Sequence, residues 1–207
     1  MRIVALLFER FTALDIIGPY EVLTRLPDAV IRFAGKETKE YRDPHGLVLR
    51  SEHSIQNIQN ADVLVVPGGP GIDDILDDKE ILDWLRRIHG HSHWTVSVCS
   101  GSLLLAAAGI LNGRQCTTHW RRMEQLKKYP VNVRQERYVH DGKIITAAGV
   151  SAGIDMALYL VSKLADNTTA RMIQLGLEYD PHPPFDCGSP AKAEAELLNM
   201  YAQLRSK

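Results

Sequence analysis

The sequence predicts an α/β fold in which an open, mostly parallel sheet is sandwiched by helices. Three observations predict it. Short apolar runs alternate with helical patterns along the chain, as parallel strands joined by crossover helices require. Val63-Leu64-Val65-Val66 is an unbroken apolar run, the pattern of a parallel strand covered on both faces. It ends in Pro67-Gly68-Gly69-Pro70-Gly71, whose composition enforces a loop.

The remaining elements follow in order. Ile3 to Phe8 reads as a buried strand, and Pro19 to Leu26 as an amphipathic helix. Val30 to Ala34 reads as a second strand, and Leu47 to Leu49 as a short edge strand. A helix over Lys79 to Ile88 precedes a buried strand at Trp94 to Val98. Leu103 to Ala108 is strongly helical and stops at Gly109. Val131 to Val139 and Lys143 to Ala147 predict a hairpin turning at Asp141-Gly142. Gly149 to Leu164 predicts a long helix with an apolar face, and Ala191 to Leu204 a polar helix. In sheets of this kind, ligands bind outside the carboxyl ends of the strands.

The 207 residues suit a single domain over 1–207. Lysine and arginine number 24 against 25 acidic residues, for a net charge of -1. Neither nucleic acid nor an anionic membrane surface is an expected partner. No run approaches the roughly 18 apolar residues of a membrane span. The apolar start runs straight into Glu9-Arg10 without a small-residue cleavage site, which fits a strand rather than a signal peptide. Cys99, Cys116 and Cys187 have no metal-type spacing, which predicts reduced thiols in a cytoplasmic protein.

Cys99 is the first candidate for chemistry. Val98-Cys99-Ser100-Gly101-Ser102 puts it where a buried strand turns into a helix. Small neighbours permit the sharp turn of a nucleophile elbow, and a helix N-terminus favours a thiolate. Burial alone also accounts for a cysteine here. Parallel strands end on one side of a sheet, so the glycine loop would face Cys99. The N–H groups of Gly69 and Ser100 would then form an oxyanion-type hole. A tight connection without chemistry is the other reading of the loop. Asp15 follows the first strand among apolar neighbours, an expensive setting for a charge. It is either a helix cap or turn former, or a proton relay.

Other motifs are weaker. Gly149-Val150-Ser151-Ala152-Gly153 matches a serine-hydrolase signature, with Asp180 and His182 following in order. Too little chain remains to carry those partners on further strands, so the small residues are expected to serve close packing. His89, His91 and His93 alternate, but precede the Trp94 strand at the edge opposite Cys99; a solvated loop is expected, with no metal site. His119, in Thr117-Thr118-His119-Trp120, either pairs with Cys99 or is structural.

Jointly, these motifs and Asp15-Ile16-Ile17-Gly18-Pro19-Tyr20-Glu21, Val66-Pro67-Gly68-Gly69, Ile154-Asp155 and the tail from Glu178 to Asp186 resemble the ThiJ/PfpI superfamily. The resemblance spans essentially the whole chain and is strongest to the isonitrile hydratase branch. It implies the class I glutamine amidotransferase-like version of a flavodoxin-like fold. It also implies a Cys99 nucleophile, an Asp15 acid/base, a hydroxyl at Ser100, a small-molecule substrate, no cofactor and a homodimer. Gly68, Gly69, Gly149 and His119 become the candidates for surrounding the substrate. Branch members usually carry threonine where Ser100 stands. PfpI-like peptidases place histidine there, and glutaminases carry a late His-x-Glu that this chain lacks. The resemblance leaves two alternatives, a Cys99-based redox sensor and a glyoxalase-like enzyme.

Overall fold

The computed structural model describes residues 1–204. The chain forms two compact units, Met1–Leu177 and Glu178–Lys207.

The first unit starts with β1 (Arg2–Leu7) and α1 (Ala13–Leu23), followed by β2 (Val30–Gly35). Next come β3 (Glu40–Arg42), β4 (Val48–Arg50), β5 (His53–Ser54) and β6 (Val63–Val66). Then follow α2 (Lys79–His91), β7 (Trp94–Val98), α3 (Gly101–Ala107), β8 (Gln115–Cys116), α4 (Met123–Leu126) and β9 (Asn132–Val133). The unit closes with β10 (Tyr138–Asp141), β11 (Ile144–Ala147), α5 (Ala152–Leu164) and α6 (Asn167–Gly176).

Seven strands form the central sheet in the order β10-β11-β7-β6-β1-β2-β5. All neighbours are parallel except β10 against β11. This is the predicted α/β architecture. Side chains alternate between two cores, as the strand period of two dictates. On β1 and β6, Val4, Leu6, Leu64 and Val66 join the core shared with α2 and α3. Ile3, Ala5, Val63 and Val65 join the core shared with α5. Each fully buried aliphatic side chain contributes roughly 1.5–3 kcal/mol, so the unbroken apolar runs hold both helix layers.

Several boundaries differ from the sequence reading. The first helix begins at Ala13, and Pro19 lies inside it. Proline at an apparent helix start reads as the first-turn residue it usually is; here α1 runs through it. The Val48–Arg50 strand is a short edge strand, but of a separate two-stranded ribbon in which it pairs antiparallel with β3, not of the central sheet. The hairpin at Asp141-Gly142 exists as β10 and β11, but Asn132–Val133 pairs parallel with β8 instead. The helix α6 was not foreseen; Asp166 caps it by accepting the Thr169 N–H at 2.8 Å.

The chain leaves β1 toward β2 on one side and returns through β6 on the other. Ligand crevices in open α/β sheets form at such a reversal, which falls here at the carboxyl ends of β1 and β6. The second unit carries α7 (Ala195–Leu204) and an exposed Cys187.

Candidate active site

Three strand ends supply the crevice. Asp15 comes from the first turn of α1, after β1; its own N–H bonds the Thr12 carbonyl at 3.0 Å. Thr12, not Asp15, occupies the N-cap. The carboxyl is buried completely. One oxygen, Oδ2, accepts the Gly68 N–H at 2.9 Å. The other, Oδ1, is buried without a partner of ordinary hydrogen-bond geometry among the described residues. Burial pushes this carboxyl up to about 7, while the Gly68 N–H and the adjacent Cys99 thiol restrain the rise.

Cys99 follows β7 with φ of 57°. That is the left-handed region, which L residues enter at a cost of about 1–3 kcal/mol unless surroundings hold them there. Its N–H is shared between the carbonyls of Ala147 at 3.1 Å and Ala148 at 2.9 Å. Its carbonyl accepts the Thr118 hydroxyl at 3.0 Å and, more distantly, the Ser102 hydroxyl at 3.4 Å. The thiol is held above the usual range, first by burial and then by the charge of Asp15. The Ser100 N–H and hydroxyl act in the opposite direction by facing the sulfur. The two acids therefore compete for a common proton.

Gly68 and Gly69 come from the loop after β6. The Gly69 N–H donates to the Ser100 Oγ at 3.0 Å. Both loop amides are thus engaged within the site, Gly68 on Asp15 and Gly69 on Ser100. Of the two N–H groups expected to form an oxyanion-type hole, that of Gly69 is engaged on the Ser100 hydroxyl.

His119 and Gly149 are neighbours. A Cβ at Gly149 would stand 3.6 Å from the His119 ring. The His119 Nδ1 accepts the Arg121 N–H at 3.3 Å, capping a short 3-10 turn over Trp120–Arg122. Ser151 accepts a bond from Arg137, which also pairs with Asp155; His182 bonds the Asp180 carbonyl in the second unit. The nearby glycine has the foreseen packing role: a Cβ at Gly153 would lie 3.1 Å from Val98 and 3.3 Å from Pro19. His89 and His91 lie in the last turn of α2 rather than in a loop. His89 bonds the Thr95 hydroxyl at 2.8 Å, and burial lowers it to about 4, helped by Lys143 and Arg114. Among the described residues no cluster of three His, Cys, Asp or Glu is placed to hold a metal. No helix among them is long and apolar enough to cross a membrane.

The grip of Thr118 on Cys99 went unread in the sequence. Its one signal was its place beside His119 in a Thr-Thr-His-Trp run.

The family comparison decides the assignment: the DJ-1/PfpI family profile matches residues 1–163. The chain belongs to the DJ-1/PfpI family. A DJ-1/PfpI relative, the isonitrile hydratase of Pseudomonas putida, is 38% identical over 96% of this chain and 87% of its own length. A transcriptional regulator, CdhR of Pseudomonas aeruginosa, is 31% identical over 58% of this chain but only 36% of its own length. Among solved structures, a ThiJ/PfpI family protein from Pseudomonas syringae superposes with a TM-score of 0.95 at 33% identity. That likeness covers 99% of this chain and 86% of the other. Drosophila melanogaster DJ-1beta shares the fold, with a TM-score of 0.77 at 21% identity over 86% of this chain and 97% of its own.

Proposed function

We propose that this protein hydrates isonitriles to N-substituted formamides through a thioimidate on Cys99. One observation carries the reading: a cysteine strained into a left-handed elbow lies against a fully buried carboxyl with an unpartnered oxygen. The likeness to an isonitrile hydratase across nearly the full chain supports it.

The terminal carbon of R–N≡C is electrophilic. Ionised Asp15 takes the thiol proton as the Cys99 sulfur bonds that carbon, and returns it to the carbon to give R–N=CH–S–Cys99. Asp15 then draws a proton from water as the oxygen adds to the carbon, and passes that same proton to the nitrogen. Collapse of R–NH–CH(OH)–S–Cys99 expels the sulfur, which recovers its proton, and releases R–NH–CHO. Every proton and electron pair comes from substrate, water, Cys99 and Asp15. The Ser100 N–H and hydroxyl stabilise charge on sulfur as it leaves. Buried surroundings keep both acids from ionising together, which preserves the single shared proton the reaction needs.

The test is formamide production from cyclohexyl isonitrile. Wild type is expected to turn over, and Cys99→Ala to fall by at least about 10⁴-fold, because it lacks the nucleophile. An inert wild type whose Cys99 is selectively oxidised by peroxide would replace this reading with the redox one. Consumption of methylglyoxal instead would favour the glyoxalase-like activity.

A further inference from the structure

Removing one hydroxyl outside the Cys99–Asp15 pair tests how the peptide that follows Cys99 is held. The Cys99–Ser100 peptide has a carbonyl at one end and an N–H at the other. Both lie in one rigid plane and point in opposite directions. At the N–H end, the Ser100 amide favours the charged form of the Cys99 thiol. The carbonyl is gripped by the buried Thr118 hydroxyl at 3.0 Å. Ser102 also reaches that carbonyl, but at 3.4 Å it is the weaker partner.

Thr118 does not reach from a loose loop. The Thr117 N–H bonds the Thr146 hydroxyl on β11 at 2.8 Å, and the Thr117 hydroxyl bonds the Glu136 carbonyl at 3.2 Å. β11 also supplies the Ala147 carbonyl that holds the Cys99 N–H. The segment that orients Cys99 from its amide side and the segment that grips it from its carbonyl side are therefore tied together.

We propose that Thr118 is a positioning residue: its hydroxyl fixes the tilt of the Cys99–Ser100 peptide and so aims the Ser100 N–H at the sulfur. The bond also polarises that peptide, which strengthens its N–H as a donor. Thr118 acts through this peptide, whose carbonyl its hydroxyl holds. Its share in hydration rests on the isonitrile reading; its share in thiol reactivity does not.

The experiment measures alkylation of Cys99 by iodoacetamide against pH, alongside isonitrile turnover. The variants are Thr118→Val, Thr118→Ser and the control Thr95→Val, a buried threonine at the opposite end of β7 whose hydroxyl bonds His89 at 2.8 Å. Thr118→Val is expected to raise the apparent alkylation pKa by about half a unit to one unit. It is expected to lower kcat/KM for the isonitrile by about 10- to 100-fold, less than outright removal of an oxyanion donor costs. Thr118→Ser restores both to within a few-fold, and Thr95→Val keeps the wild-type profile. Thr118→Ala, which leaves room for a water, takes the place of the valine variant if that variant does not fold. An unchanged alkylation profile in the valine or alanine variant overturns the proposal, as does a serine variant no better than valine. If wild type is inert toward isonitriles, the hydratase reading fails alone, and the alkylation profiles decide the role of Thr118.

Discussion

Asp15→Asn is expected to lower isonitrile kcat/KM by about 10³-fold or more, the scale of losing a general base that also shuttles the proton. It is expected at the same time to stabilise the fold at alkaline pH. The wild-type carboxyl titrates near 7 in the fold, raised by burial from 3.8. Below about pH 7 the pair holds two protons and no base is present; above it, one proton is shared. The wild-type kcat/KM should therefore rise with pH through a midpoint near 7, and this limb should vanish from the residual activity of the variant.

The stability effect has a defined direction. A raised carboxyl pKa means that the fold binds the proton more tightly than the unfolded chain does. Its contribution is complete below 3.8 and is lost as the pH rises through about 7. Above that window, keeping Asp15 ionised costs about 4 kcal/mol relative to an exposed aspartate, at 1.36 kcal/mol per pK unit. Asparagine does not ionise, and its amide oxygen still accepts the Gly68 N–H. Urea unfolding at pH 5 and pH 9 measures the consequence. The advantage of Asp15→Asn over wild type should widen at pH 9; an equal gap at both values excludes charge burial as its cause.

Gly68→Ala is expected to damage fold and site together. A Cβ there would stand 2.5 Å from the Ser100 nitrogen, 2.6 Å from its Oγ and 3.0 Å from the Cys99 Cβ. Two of these three atoms belong to backbone or a fixed Cβ, so rotamer change cannot relieve the crowding. The loop must move away, breaking the Gly68–Asp15 bond. The expected loss is about 3 kcal/mol or more, a fall in Tm of roughly 6–12 °C. Gly90 on α2 is the comparison, because nothing lies within 4 Å of a Cβ placed there. Gly90→Ala should gain about 0.5–1 kcal/mol from helix propensity. Thermal melts of the two variants side by side test the crowding, since a similar response at both positions would rule it out.

Much of this was legible beforehand because patterning reports local structure. The run at Val63–Val66 matched its strand because a strand buried on both faces leaves no polar interruption; Trp94–Val98 also matched, with the small polar Thr95 and Ser97 buried between its apolar residues. Cys99 and Asp15 were legible by position, one after β7 and the other after β1. What escaped depends on partners distant in sequence. Asn132–Val133 carries a strand pattern, but only the fold reveals that β8 is its neighbour. Pro19 marks helix starts so often that its place within α1 is invisible locally. The bond from Thr118 joins two short polar segments across 19 residues, and neither segment signals the other.

Order of synthesis gives the Cys99 anchoring a further consequence. β1 emerges first yet ends inside the sheet, and the strands added later build outward on both sides. Asp15, Gly68 and Cys99 leave the ribosome well before Ala147 and Ala148, whose carbonyls hold the Cys99 N–H. Roughly fifty residues separate Cys99 from those carbonyls, several seconds of elongation at about 5–20 residues per second. Until β11 docks, the two carbonyls that hold the Cys99 N–H are not in place, and nothing from that side offsets the cost of its left-handed backbone. The last strand of the sheet thus completes the seat of Cys99, so an unfinished chain carries Asp15, Gly68 and Cys99 without the geometry that joins them.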